Sequence, residues 1–248
     1  MTITLEPVQI SGTEFDKFYG LRGAVPRRFM DGKKSILLIL EPVDDEPPPL
    51  PSLDILKAGD EGIDVSRWQG AIDWPRVPKR FMYARVGAGF TADATFTANW
   101  TGAKAAGILR GAYLYFVAGA APDLQAKFVI DALKADGGEL PLCIDVEPRA
   151  GETVDKARAT ASIKNVLELC EFELGYRPII YTNRVAWEAM TTSPEWAADY
   201  TFWLARYSSQ PPPQSMWPRY VKTVRLWQYS NAGAVAGIAG AVDLDRVV

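Results

Sequence analysis

The chain has 248 residues and no histidine, which excludes Ser-His-Asp and Cys-His nucleophile systems and histidine-based zinc sites. Its two cysteines are too few for a four-cysteine zinc site. With 27 basic and 30 acidic residues the net charge is −3 and no basic patch stands out, so nucleic acid is not an expected partner.

The opening Met-Thr-Ile-Thr-Leu-Glu-Pro carries neither the charged start nor the apolar centre of a signal peptide. No apolar run reaches membrane-spanning length, so no membrane is expected. Residues 1–41 read as a small N-terminal extension with strand-like stretches at Thr2–Ile10 and Lys34–Leu40, too short for a core of its own. Five prolines among acidic residues at Pro42–Ser52 mark a stiff connector, with residues 42–60 taken as the linker.

Beyond residue 60, short apolar strands alternate with helices. Gly62–Ser66 and Phe81–Val86 read as strands, Thr95–Ala106 as a helix stopped by Gly107, and Leu109–Val117 as the next strand. Pro122–Ala135 reads as a helix ended by Gly137 and Gly138, and Leu140–Glu147 as a strand. Thr153–Leu174 is the longest helix, with Ile163, Val166, Leu167, Cys170 and Leu174 along one face. Pro178–Thr182, Thr201–Tyr207, Thr223–Tyr229 and Ala241–Leu244 complete the strands. This alternation predicts an α/β fold in which a largely parallel sheet closes into a barrel over residues 61–248, irregular in its second half where helices are poor. Cys143 and Cys170 sit in apolar surroundings and are expected as buried free thiols.

The chemistry concentrates in carboxylates. Asp145 and Glu147 lie two apart at the end of a strand, so they face the same way while Val146 faces the other. Two acids so placed repel and desolvate each other, which keeps one protonated near neutral pH. Barrel active sites lie at such C-terminal strand ends. Asp64 sits within an otherwise apolar strand, and Asp243 is expected to end the last one. A closed barrel would bring all four acids to one mouth. A metal ion would also suit these oxygens, although no ligand spacing demands one.

Gly62-Ile-Asp-Val-Ser-Arg-Trp-Gln-Gly with Ile72-Asp-Trp resembles the opening signature of glycoside hydrolase family 25, the lysozyme-type muramidases. Gly111-Ala-Tyr, Ile144-Asp-Val-Glu, Ile180-Tyr-Thr-Asn, Phe202-Trp-Leu-Ala-Arg-Tyr, Leu226-Trp-Gln-Tyr-Ser and Val242-Asp-Leu-Asp follow in the order of that family. The resemblance implies a flattened TIM-like barrel that cleaves the β-1,4 bond between N-acetylmuramic acid and N-acetylglucosamine, with no cofactor and no metal. It implies Glu147 as general acid and Asp145 as the group stabilising the developing positive charge, directly or through the substrate acetamido group. Asp64 and Asp243 match the supporting acids, and Tyr113, Tyr181, Trp203, Tyr207 and Gln228 are candidates for the sugar-binding cleft.

Two departures predict altered substrate contacts: Arg85 stands where members often carry an acid, and Leu114 where they often carry histidine. The implied partner is the peptidoglycan glycan strand. The implied setting is a phage protein made in the cytoplasm, acting as a lysis enzyme after holin-dependent release or as a virion component. In the second case residues 1–52 would dock on tail or baseplate proteins. A family 18 chitinase is the nearest alternative, disfavoured because Cys143 stands where those enzymes add an Asp. A non-catalytic wall-binding or virion structural module on the same scaffold is the other.

Overall fold

The computed structural model describes residues 49–248. The strand-like stretches at Thr2–Ile10 and Lys34–Leu40, and most of the Pro42–Ser52 run, lie outside the described residues. Eight strands close into a barrel: β1 (Glu61–Val65), β2 (Phe81–Ala88), β4 (Leu109–Tyr115), β5 (Cys143–Asp145), β6 (Ile179–Thr182), β7 (Thr201–Ala205), β8 (Thr223–Gly233) and β9 (Val242–Val247). The two-residue β3 (Thr91–Ala92) folds back antiparallel on β2. Neighbours are parallel from β1 through β8, and β9 runs antiparallel to both β8 and β1 as it closes the ring.

Helices α1 (Phe96–Ala105), α2 (Pro122–Leu133), α3 (Lys156–Leu174) and α4 (Arg184–Met190) make the crossovers from β2 to β7. The crossover from β7 to β8 has no α-helix, and the one from β1 to β2 uses only 3-10 turns. The expected α/β barrel is therefore present, with its irregularity where the helical pattern fades.

Period-two alternation divides each strand between two cores. Ile63, Met82, Ala112, Leu114, Ile144, Ile180, Phe202 and Leu204 face the layer between strands and helices. Phe81, Tyr83, Cys143, Ile179, Tyr181, Trp203, Leu226 and Val247 form a second, separate cluster. Gly111 carries no Cβ because one would collide with the Tyr83 ring. Both cysteines are free and buried, as their surroundings predict.

Leu53 and Leu56, from the stretch read as linker, are buried in the same cluster as Tyr83 and Trp203. Ser52 N–H donates to the Glu139 carbonyl at 3.0 Å and Gly59 N–H to the Val247 carbonyl at 3.0 Å. These partners lie at the N-terminal ends of the parallel strands, so residues 52–59 plug the end opposite the mouth. Nearby, the buried Arg110 bridges Asp136 at 2.8 Å and Glu139 at 2.7 Å, fixing the turn before β5.

Several boundaries differ from the sequence pattern for local reasons. β5 pairs only over Cys143–Asp145, since Pro141 has no N–H to offer a ladder. The pairing nevertheless continues one residue through Val146 N–H to the Tyr181 carbonyl, 2.9 Å. Helix α3 begins at Lys156 because the Asp155 carboxylate caps Arg158 N–H at 3.1 Å. The seven-residue α4 is too short to show a helical period, yet Asn183 caps it through Ala186 N–H at 2.9 Å. Among the described residues no helix is long and apolar enough to cross a membrane.

Candidate active site

The four acids picked from sequence meet in one cleft of about 300 Å³ at the barrel mouth. Asp64 comes from β1 and Asp145 from the end of β5. Glu147 follows on the chain leaving β5, outside the strand proper. Asp243 corrects one expectation. It opens β9 rather than ending a strand, and reaches the mouth because β9 runs against the others, placing it directly opposite Asp64.

Gln228 is the hub of the polar floor. Its Nε2 donates to Asp64 Oδ2 at 2.7 Å, while its Oε1 accepts from the Tyr181 hydroxyl at 2.8 Å and the Tyr207 hydroxyl at 3.1 Å. These three bonds hold Asp64 in one place. Asp145 is buried and its Oδ1 has no hydrogen-bond partner. An orphaned buried carboxylate oxygen is costly when charged, which favours the protonated form of Asp145.

The electrostatics follow from burial and crowding. Burial, then neighbouring Asp245 and Asp243, hold the Asp64 carboxyl well above the ordinary carboxylate range. Burial, then Glu147, does the same to Asp145, partly offset by the Arg85 guanidinium. Glu147 is raised by burial and by Asp243, and Asp243 is itself raised by burial. Acids this close share protons and titrate as a group. The cluster therefore holds protons at pH values where exposed carboxyls are ionised, which suits acid catalysis.

The candidate sugar-binding residues divide by exposure. Tyr113 is half-buried at the cleft wall, whereas Tyr207 is 55% exposed beside the cleft and reaches its floor through the hydroxyl bond to Gln228. Tyr181, Trp203 and Gln228 line the floor but are buried. Trp203 packs against Tyr83 and Tyr181 with ring centroids 4.9 Å from each, so it supports the site rather than offering a free face.

Leu114 is fully buried in the outer core, on the opposite side of β4 from Tyr113 and Tyr115. The expectation of altered sugar contacts at Leu114 is thus corrected. Arg85 does line the cleft, gripped by Asp93 at 2.7 Å.

Four further residues belong to the site that were not among the sequence candidates. Trp68 is 72% exposed on the 3-10 turn after β1, lines the cleft, and has the Arg67 guanidinium 4.7 Å from its ring centroid. Tyr115 donates its hydroxyl to the Glu147 carbonyl at 3.2 Å and so tethers the chain that carries the acid. Arg85 was noted only as a departure. Asp245, two residues after Asp243 and thus on the same face of β9, is fully buried beneath the cluster.

Neither carboxylate oxygen of Asp245 reaches a hydrogen-bond partner, although Trp203 and Asp64 lie close. Burial, then Asp243, raises it well above the ordinary range. An acid raised in the folded state favours folding below its unfolded pKa of about 4 and loses that contribution as pH rises through the folded value. Asp245→Asn is accordingly expected to raise the melting temperature by about 2–4 °C near pH 8 and by less near pH 4. Thermal melts of both proteins at the two pH values check this. An equal loss of stability at both would show that the carboxylate is held by a bond.

Comparison with known proteins agrees with this geometry. Residues 63–238 match the family model described as Glycosyl hydrolases family 25. The protein YegX of Escherichia coli (strain K12) is 33% identical over 195 residues, covering 74% of this chain and 68% of YegX. Lysozyme M1 of Streptomyces globisporus is 31% identical over 210 residues, covering 76% of this chain and 68% of the lysozyme. The crystal structure of the bacterial lysozyme from Streptomyces coelicolor superposes with a TM-score of 0.67 at 28% identity, covering 77% of this chain and 93% of that one.

Proposed function

This chain belongs to glycosyl hydrolase family 25 and is a glycoside hydrolase of the lysozyme type, and we propose that it cleaves the β-1,4 bond from N-acetylmuramic acid to N-acetylglucosamine in peptidoglycan, with Glu147 as the proton donor. The observation that carries this is the buried Asp145 beside the more accessible Glu147 in a cleft also lined by Asp64 and Asp243, where burial and crowding raise the carboxyls above their ordinary range.

In the free enzyme the pair shares a proton, and Asp145, being fully buried, has the stronger claim on it. A sugar seated over Glu147 strips away its remaining water and draws the proton to that carboxyl. Glu147 then gives it to the glycosidic oxygen as the bond to the anomeric carbon breaks. The ionised Asp145 stabilises the positive charge growing on the sugar ring, directly or by orienting the acetamido oxygen as nucleophile. Water completes hydrolysis, returning its proton to Glu147. Carboxyls two residues apart on extended chain lie about 6–7 Å apart at the backbone and can converge, which favours a retaining or substrate-assisted course over inversion. Asp64, fixed by Gln228, and Asp243 hold substrate and keep the pair's protons in place. Tyr113, Tyr207 and Trp68 supply the ring surfaces that carbohydrate favours.

Digestion of peptidoglycan and of chitin oligomers tests the reading. Muramic-acid reducing ends from peptidoglycan and slow or absent chitin cleavage support it. Efficient chitin cleavage, or N-acetylglucosamine reducing ends from peptidoglycan, sinks it.

The acidic, proline-rich run at Pro42–Ser52, set between residues 1–41 and the barrel, supports a docking role of residues 1–52 on phage tail or baseplate proteins, with the barrel as the catalytic unit. Removing residues 1–48 leaves the plug formed by Leu53 and Leu56 intact. That truncation is expected to retain at least about half the activity on peptidoglycan, within the scatter of changes made away from a site. Particle association should be lost. Co-sedimentation with virions and a turbidity assay of the same protein check both arms.

A further inference from the structure

Beside the catalytic cleft, the same mouth of the barrel holds a second hollow of about 270 Å³. Its lining comes from the start of α4, the end of β7 and the proline-rich loop that follows. That loop, Gln210-Pro-Pro-Pro-Gln, is stiff by composition, since each proline fixes its own φ. It is also tied down. Arg206 Nη1 donates to the Gln210 and Pro211 carbonyls at 3.2 and 2.7 Å. Trp217 Nε1 donates to the Pro212 carbonyl at 2.9 Å, and Arg184 Nη1 to the Ser215 carbonyl at 3.0 Å. The wall is thus built before any ligand arrives.

Its chemistry differs from that of the catalytic cleft. Val185 is 78% exposed and Met216 44% exposed, so aliphatic surface lies open to water beside Pro212. Arg184 is balanced by Glu188 at 2.8 Å. Among the described residues the Arg206 guanidinium bonds only to neutral carbonyls, which leaves its positive charge unbalanced. Tyr207 joins the two spaces, lining this hollow while its hydroxyl donates to Gln228 in the floor of the cleft.

We propose that this hollow receives the peptide stem carried on the lactyl group of muramic acid; the proposal rests on the muramidase reading above. Besides Tyr207 at its edge, the hollow offers two features: open aliphatic surface and the unbalanced charge of Arg206. A short peptide of small apolar residues bearing carboxylates matches it on both counts. Its methyl groups lie on Val185, Pro212 and Met216, and a carboxylate meets Arg206. The stem branches from the glycan strand that fills the cleft, so the two sites must adjoin at one mouth, as they do through Tyr207. Binding energy from such a remote group assists the chemical step when it fixes the reacting sugar.

The test uses soluble stem-bearing glycan strands and the same strands stripped of peptide by an amidase. The expected kcat/KM is at least about tenfold higher on the stem-bearing strands, and that preference weakens with added salt as the Arg206 contact is screened. Val185→Asp and Met216→Asp change exposed side chains and set a negative charge against the stem. Each is expected to bring the ratio towards one, with thermal melts showing that both proteins fold. Equal rates of the wild type on the two substrates overturn the proposal and leave the muramidase reading standing. A ratio unchanged in both variants also overturns it, since the stem then lies elsewhere. Cleavage of neither substrate removes the muramidase reading, and this proposal with it.

Discussion

Glu147→Gln is expected to lower kcat on peptidoglycan by about 100- to 10,000-fold, the range for removing a positioned general acid. KM should change little, because the amide keeps the shape and most of the hydrogen bonding of the carboxyl. The pH profile carries the sign of the argument. Burial and Asp243 raise Glu147 above its ordinary value, and it must be protonated to act, so the wild-type rate falls as pH climbs through that raised value. The residual rate of the variant should lack that limb. Stability should hold or rise, because a negative charge leaves a buried cluster in which Asp145 and Asp243 are also acidic. Steady-state kinetics across pH, with a melting curve for each protein, check all three statements. A variant that keeps wild-type kcat would remove Glu147 from the mechanism.

Asp145→Asn is expected to cost about 100- to 1,000-fold in kcat, comparable to losing a preorganised group that stabilises transition-state charge. Its second effect separates it from Glu147→Gln. Asp145 is held well above the ordinary carboxylate range by burial and by Glu147. Such a group favours the folded state below about pH 4 and loses that contribution as pH rises through its folded value. The variant should therefore gain stability relative to wild type as pH rises. In the substrate complex, where Asp145 is ionised, it also removes a like charge from beside Glu147, so the alkaline limb of the residual kcat should move to lower pH. A limb that stays in place would mean the two carboxyls do not share a proton.

The acids were legible in sequence because a carboxyl embedded in an apolar strand is physically anomalous. Asp64 between Ile63 and Val65 needs no coordinates to stand out, and Asp145 beside Ile144 and Val146 is the same case. The closed barrel was legible from strand–helix alternation, since parallel neighbours require crossovers. Leu114 and Asp245 were decidable by the rule already applied to Asp145. Alternation places Leu114 opposite Tyr113, and places Asp245 on the face of Asp243.

Other features leave no periodic trace. Trp68 stands on a three-residue 3-10 turn set by the Ser66 and Gln69 capping box, and a single turn has no face to read from spacing. Leu53 and Leu56 sit beside a proline-rich run whose composition speaks for a connector, while their burial depends on the shape of the barrel end they close. The hollow beside Tyr207 is assembled from three segments and a loop held by carbonyl contacts, none of which has a signature along the chain.

The most direct test of the central claim is digestion of purified peptidoglycan by wild type and by Glu147→Gln side by side, with mass analysis of the fragments. New muramic-acid reducing ends are expected from the wild type and almost none from the folded variant. Equal yields of those ends from both proteins, or amidase and peptidase products alone, would contradict it.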